Sequence, residues 1–177
     1  LTKSYTELWK EGISYSTFTW SKKDYRLDSI KFENMSKEWG WNSPLRNDYE
    51  RRQALVEIDV LVAMALGMTL NQLKTIYRIQ FPVLQSYEHD TWYDANGRIT
   101  FSAKNYGDLA YKRLEFENGI KNAPAGQRFY RTITDDTMPG GPIERTIEYV
   151  APFDRCDREQ DYETAWKFFE EKYGKER

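Results

Sequence analysis

The chain has 177 residues, 31% of them charged and 40% hydrophobic, with a net charge of −2. That is enough apolar material for one folded core and too little positive charge for a protein that binds nucleic acid over its whole surface, so any such contact has to come from a local patch. No apolar run reaches about 18 residues and no basic-then-apolar leader stands at the start, which predicts a cytoplasmic protein without a membrane span; one cysteine, Cys156, and one histidine, His89, exclude a disulfide framework and a zinc site of nitrogen and sulfur ligands.

In chain order, residues 13–20 (ISYSTFTW) are rich in β-formers and weakly alternating, which predicts a strand. Residues 21–46 are aromatic and charged without clean periodicity. They predict a short helix and the loop Gly40-Trp41-Asn42-Ser43-Pro44, with Asn47 or Asp48 as the N-cap of the next helix.

From Asp48 to Pro82 the chain encodes two helices and their joint. Leu55, Ile58, Leu61, Val62 and Ala65 recur at the spacing of one helical face, while Arg51, Arg52, Glu57 and Asp59 fall mostly off it, so the apolar stripe is expected to be the buried one. Gly67, able to take positive φ, ends the first helix, and Thr69 with Gln72 forms a capping box that opens the second. There Leu70, Leu73, Ile76 and Tyr77 are the expected buried stripe, with Asn71, Gln72, Lys74, Thr75 and Arg78 outward.

Beyond Pro82 the chain reads as a polar linker that holds His89. Residues 90–101 place two β-prone runs around Asp94-Ala95-Asn96-Gly97, a hairpin whose Asn-Gly supplies the positive φ a tight turn demands. Residues 102–128 are mixed, with a short helix in YGDLAYKRLEFENGI. Residues 129–134 and 145–153 form a strand pair across 129–153, and a C-terminal helix fills 157–173 with Tyr162, Ala165, Trp166 and Phe169 inward. The expected architecture is a single α+β domain over residues 1–177: a helical hairpin of helix-turn-helix type at 48–82, a small antiparallel β element and a C-terminal helix.

Two readings compete for the helix pair. Ala63, Gly67 and Leu73 stand at the small, turn-glycine and apolar positions of a DNA-binding helix-turn-helix, whose second helix enters the major groove of double-stranded DNA. Asn71, Gln72, Thr75 and Arg78 then face bases, while Lys74, Arg51 and Arg52 touch phosphates. An ordinary αα-hairpin needs the same caps and turn without any DNA. Other chemistry finds less support. Trp39 and Trp41 beside Asn42 have the flat rings and amide of a base pocket, but Asn42-Ser43-Pro44-Leu45 lacks the second proline and the stacking aromatic of an adenine methyltransferase motif. Glu170-Glu171-Lys172 has no acidic partner for a nuclease, and Asp154, Asp157, Glu159 and Asp161 around Cys156 suit a helix N-terminus. Cys156 and His89 lie in unrelated contexts. Pro139-Gly140-Gly141-Pro142 lacks the amide donors of a phosphate cradle. No catalytic, metal-binding or cofactor-binding residue is therefore assigned, and the chain is not expected to be an enzyme by itself.

The runs ERRQALVEIDVLVAMALGMTLNQLKTIYRIQFPVLQSYEHDTWYDANGRITF and TDDTMPGGPIERTIEYVAPFDRCDREQDYETAW resemble the far C-terminal region of large class I adenine-specific DNA methyltransferases of bacterial restriction-modification or phage-defence systems. The similarity spans residues 48–101 and 134–166. It implies a DNA-modification context in which S-adenosylmethionine and the Asn-Pro-Pro-aromatic motif belong to an upstream catalytic part, as the Leu1 start also suggests, and it carries no catalytic residue onto this chain. Two functions emerge as expectations: an accessory region that engages DNA or recognises the target, or a structural, protein-interaction domain that braces the rest of its own methyltransferase.

Overall fold

The computed structural model describes residues 3–12, 18–28, 31–32, 35–40, 43–104, 107–137 and 139–174. A short 3-10 turn (Lys3–Tyr5) leads into α1 (Thr6–Gly12). Asn47 then starts α2 (Asp48–Ala65), because its Oδ1 accepts the Glu50 amide at 2.6 Å and satisfies a donor that the first turn leaves unpaired. α2 stops where Gly67 takes φ +72° and the Met68 amide reaches back to the Ala63 carbonyl at 2.9 Å. Both reciprocal bonds of the Thr69/Gln72 capping box are present, and they open α3 (Leu70–Gln80). Pro82 at the first position, where its missing N–H costs nothing, begins α4 (Pro82–His89), so the segment expected as a linker is helical.

β1 (Trp92–Tyr93) and β2 (Ile99–Phe101) form the expected hairpin. Its turn is a structural joint. Gly97 takes φ +78°, an added Cβ would lie 2.9 Å from Asn47 Cγ, and the Gly97 carbonyl accepts the Tyr49 amide at 2.9 Å, so the turn seats directly on the start of α2. The buried Asp94 carboxylate accepts from the amides of Asn96 (2.9 Å), Arg98 (2.8 Å) and Val150 (3.1 Å), tying the same turn to the later strands. α5 (Arg113–Glu115) runs into a single π-helical turn, Phe116–Ile120. β3 (Arg128–Asp135) and β4 (Ile143–Val150) make a two-stranded antiparallel ribbon in register from Arg128↔Val150 to Asp135↔Ile143. β5 (Asp154–Arg155) pairs with the free side of β1, giving the order β2-β1-β5, and α6 (Arg158–Tyr173) comes next, capped by Asp157. The architecture is α+β.

Apolar packing gathers in three places. Val56, Val60 and Ala63 of α2 meet Leu73 and Tyr77 of α3 and Tyr162, Ala165 and Phe169 of α6. Phe101, Phe116, Tyr149 and Phe153 fill the β half, and Trp20 and Leu27 from the N-terminal strap join Tyr49 and Tyr93.

The chain departs from expectation in other respects as well. Residues 13–17 of the expected first strand lie outside the described residues, and 18–20 are not strand. No helix forms among the described residues of 21–46. Most consequentially, α2 sits the other way round. Leu55, Ile58 and Val62 are 56%, 53% and 51% exposed and Ala65 is exposed too, so that of the expected stripe Leu61 alone packs, half-buried, against the core, whereas Val56 and Val60 are fully buried in company with Arg52 and Glu57. On α3, Leu73 and Tyr77 face inward as expected and Ile76 does not. This orientation makes a direct prediction. Val56→Ala and Val60→Ala each lower unfolding free energy by about 1–3 kcal/mol, while Leu55→Ala, although it removes more carbon, stays within ~0.5 kcal/mol of the parent in urea titrations.

Candidate functional site

The reason for the inversion of α2 is its polar partners. Burying Glu50, Arg52, Gln53 and Glu57 is tolerable only if each is hydrogen-bonded or ion-paired, and three elements distant in sequence supply bonds. The strap that begins at Trp20 lies along one side of α2. Ser21 donates to Glu57 Oε1 from its amide at 2.8 Å and its hydroxyl at 2.6 Å, and Gln53 donates to the same oxygen at 3.0 Å. Asp24 accepts from Arg26 at 2.9 Å and from the Tyr49 hydroxyl at 2.7 Å, with the Arg26 guanidinium 4.0 Å from the centre of the Tyr49 ring.

α4 and α6 supply the other side. Arg52 donates to Glu88 Oε1 at 3.2 Å and pairs closely with Asp161, which also holds Lys22 at 2.8 Å. Arg158 grips both oxygens of Glu88 at 2.8 and 2.9 Å, reaches Asp59 at 2.9 Å, and Tyr77 donates to Glu88 at 3.0 Å. Burial opposes ionisation of Glu88, but Arg158, Arg52 and the Tyr77 hydroxyl outweigh it and hold the carboxyl below its ordinary value. Sequence reasoning misses Glu88, Arg158 and Asp161 as site residues. Their spacing resembles ordinary solvated helix charges, and only the tertiary meeting of α2, α4 and α6 distinguishes them.

The seven residues expected to meet DNA fall into four groups. Arg52 is buried in the ion network with Glu88 and Asp161, a position from which no phosphate contact is made without opening the helix interface. Gln72 spends its side-chain oxygen on the Thr69 cap. Lys74 bonds Glu163 at 2.6 Å and lies 3.3 Å from Glu159, and Arg78 grips both oxygens of Glu159, so the two cations of α3 are tied to carboxylates of α6. Asn71 and Thr75 are exposed, and Arg51 is exposed with its Nε on the Leu45 carbonyl at 2.9 Å. The outward surface of α3 is thus charge-balanced by its neighbour instead of presenting a cationic stripe.

His89 and Cys156, which stand in unrelated sequence contexts, line one polar cavity of about 620 Å³ together with Arg155, Asp157 and Arg158. Arg155 comes between them, 3.3 Å from His89 Nε2. Burial pushes the Cys156 thiol up, which keeps it protonated and a poor nucleophile. Trp39 lines a separate cavity, and Trp41 and Asn42 lie outside the described residues. Among the described residues no cluster of histidine, cysteine and acidic side chains suits a metal ion, and no helix is long and apolar enough to cross a membrane.

Comparison with known proteins finds no matching family model, no matching curated protein and no matching solved structure.

The geometry around Glu88 yields a stability prediction. Because its carboxyl is held below the ordinary 4.5, its contribution is present above that pH and is lost as the pH falls through the lower value of the folded state. Glu88→Gln leaves Arg52 and Arg158 short of their shared carboxylate and lowers stability at neutral pH by about 3–5 kcal/mol. Denaturant melts from pH 7 down to 3 should show the gap between variant and parent narrowing below about pH 4.5; a constant gap contradicts the assignment.

Proposed function

We propose that the chain is a protein-interaction module of a DNA-modifying enzyme, and that it docks through the outward stripe of α2 onto an amphipathic helix of the catalytic part of an adenine-specific DNA methyltransferase. The observation that carries this reading is the open face of α2. Leu55, Ile58, Val62 and Ala65 succeed one another at the three-four-three spacing of a coiled-coil seam, on a helix whose opposite face is already packed, and exposed Leu66 extends the row. An apolar row of this kind is costly to leave in water, and its spacing suits a helical partner laid along it. The resemblance of residues 48–101 and 134–166 supplies the class of enzyme to which that partner belongs.

The DNA-reading alternative draws less support. For α3 to bind phosphate, Lys74 and Arg78 must first leave Glu159 and Glu163, and the released carboxylates would then repel the same backbone. S-adenosylmethionine, in this proposal, is bound by the catalytic part, and the module contributes no catalytic group.

Co-expression with the methyltransferase catalytic part tests the docking. Leu55→Glu combined with Val62→Glu should leave the thermal midpoint of the module close to the parent's and weaken its retention on the catalytic part by at least roughly tenfold. A duplex titration at low and moderate salt completes the comparison: the module alone should show no salt-sensitive binding, and tight binding that falls with salt and is lost in Lys74→Ala or Arg78→Ala would sink the proposal in favour of DNA reading.

A further inference from the structure

The β3–β4 ribbon leaves the long edge of β3 without a strand partner among the described residues. Which main-chain groups that edge presents follows from Val150. Its N–H donates to the Asp94 carboxylate at 3.1 Å and its C=O accepts the Ala95 amide at 2.8 Å, so both point away from β3. In an antiparallel pair such residues alternate with those that bond across the ladder. The register runs unbroken from Arg128↔Val150 to Asp135↔Ile143, so Tyr130, Thr132 and Thr134 turn their N–H and C=O away from β4. The Tyr130 carbonyl has the Tyr111 hydroxyl at 3.4 Å, long for such a bond, and no other hydrogen bond reaches this edge among the described residues.

The two edges of the ribbon differ in how they are guarded. β4 carries Glu144 and Glu148 on either side of Thr146, and the hairpin turn closes it at Val150. A second β4 laid antiparallel about Thr146 would set Glu144 against Glu148, like charge on like. β3 has no such protection. Its sequence, RFYRTITD, contains no proline, glycine or lysine, its register carries no bulge, and Tyr130, Thr132 and Thr134 are exposed, uncharged β-formers. Arg131, on the other face, is held by the Asp108 carbonyl at 2.5 Å and by Glu115 at 3.4 Å.

A second β3 laid antiparallel on the first, with Thr132 on the two-fold axis, opposes Tyr130 to Thr134 and Arg128 to Asp136 at both ends. On this exposed face each is a favourable cross-strand pair: hydroxyl with hydroxyl, aromatic with β-branched, cation with anion. Asp136 is exposed directly after the strand and makes no ion pair among the described residues, and Arg128 meets Glu148 through Nη1, so it can turn Nη2 to a second carboxylate. A shift of the register by two residues in either direction loses both Arg128–Asp136 pairs. We propose that β3 is a self-association edge, through which two copies of the chain join into one four-stranded antiparallel sheet in the order β4-β3-β3-β4. The main-chain groups of Tyr130, Thr132 and Thr134 then complete up to about six bonds between the copies. None of these residues belongs to the α2 stripe, so the edge stands independently of the docking proposed for that helix.

Sedimentation velocity on the whole chain, from about 5 to 300 μM, should show a reversible monomer–dimer equilibrium with a dissociation constant on the order of 10–100 μM, as suits a contact of small area. Thr132→Pro removes the N–H on the axis and leaves the ladder to β4 intact, so it should weaken the dimer at least roughly tenfold with an unchanged circular dichroism spectrum. Asp136→Arg, outside the strand, should weaken it at least about fivefold, and adding Arg128→Asp should bring the constant back to within about threefold of the parent's. The register has its own readout. Under mild oxidation Thr132→Cys should link two copies, because opposed Cα atoms lie about 5.5 Å apart in such a pair. Thr134→Cys, roughly 13 Å from its counterpart, should not, and the parent chain with Cys156 alone serves as the blank. Leu55→Glu with Val62→Glu should leave the dimer unchanged. A chain that stays monomeric over this range overturns the proposal. So does a dimer that survives Thr132→Pro or Asp136→Arg, is not restored by the charge swap, links through Thr134→Cys as readily as through Thr132→Cys, or is lost with the α2 stripe.

Discussion

The helical half of the molecule depends on the charges buried where α2, α4 and α6 meet. Arg52, Glu88, Arg158 and Asp161 are each largely removed from water, and each is tolerated there because its neighbours carry the opposite sign. The gain in specificity is clearer than the gain in stability. Arg158 and Asp161, less than one turn apart on α6, engage Asp59 and Arg52, about two turns apart on α2, so sliding either helix by a turn would strand charges in the interior. Glu88 brings α4 into the same lock, and Lys22 brings the strap.

Once that lock is set, the surface is determined by it. The polar face of α2 is spoken for, so the helix turns its Leu55, Ile58 and Val62 stripe outward. Packing α6 against α3 also brings Glu159 and Glu163 over Lys74 and Arg78, which neutralises the one helix whose outward letters suggested base and phosphate contacts. The expected reader of DNA thereby becomes, in the function proposed, a helical pair whose α2 face is kept for another protein.

What was legible in the sequence is what is settled locally. The end of α2 at Gly67, the Thr69/Gln72 box, the Asp94–Gly97 turn and the Asp157 start of α6 all involve residues within a few positions of one another, and all form as expected. The β3–β4 ribbon and the inward row of Tyr162, Ala165 and Phe169 were equally readable from alternation and helical period. The orientation of α2 was not, because it is apolar on two faces and periodicity alone cannot tell which one folding buries. The deciding partners, Ser21, Glu88 and Asp161, are 32 or more residues away from the α2 side chains they meet. α4 escaped notice because a short helix begun by proline, without a side-chain cap and with an exposed Val83, resembles a linker. The meeting of His89 and Cys156 at one cavity needed β5 to pair with β1, a contact no local pattern announces.

Hydroxyl-radical footprinting, read side chain by side chain in the isolated chain and again in the assembly with the methyltransferase catalytic part, tests the central claim most directly. Oxidation of Leu55, Ile58 and Val62 should be strong in the isolated chain and suppressed in the assembly, with Val56 and Val60 unreactive in both and Tyr77 little changed. Strong labelling of Val56 or Val60 in the isolated chain would show that α2 faces the other way. Undiminished labelling of Leu55, Ile58 and Val62 in the assembly would show that this stripe is not where the partner sits.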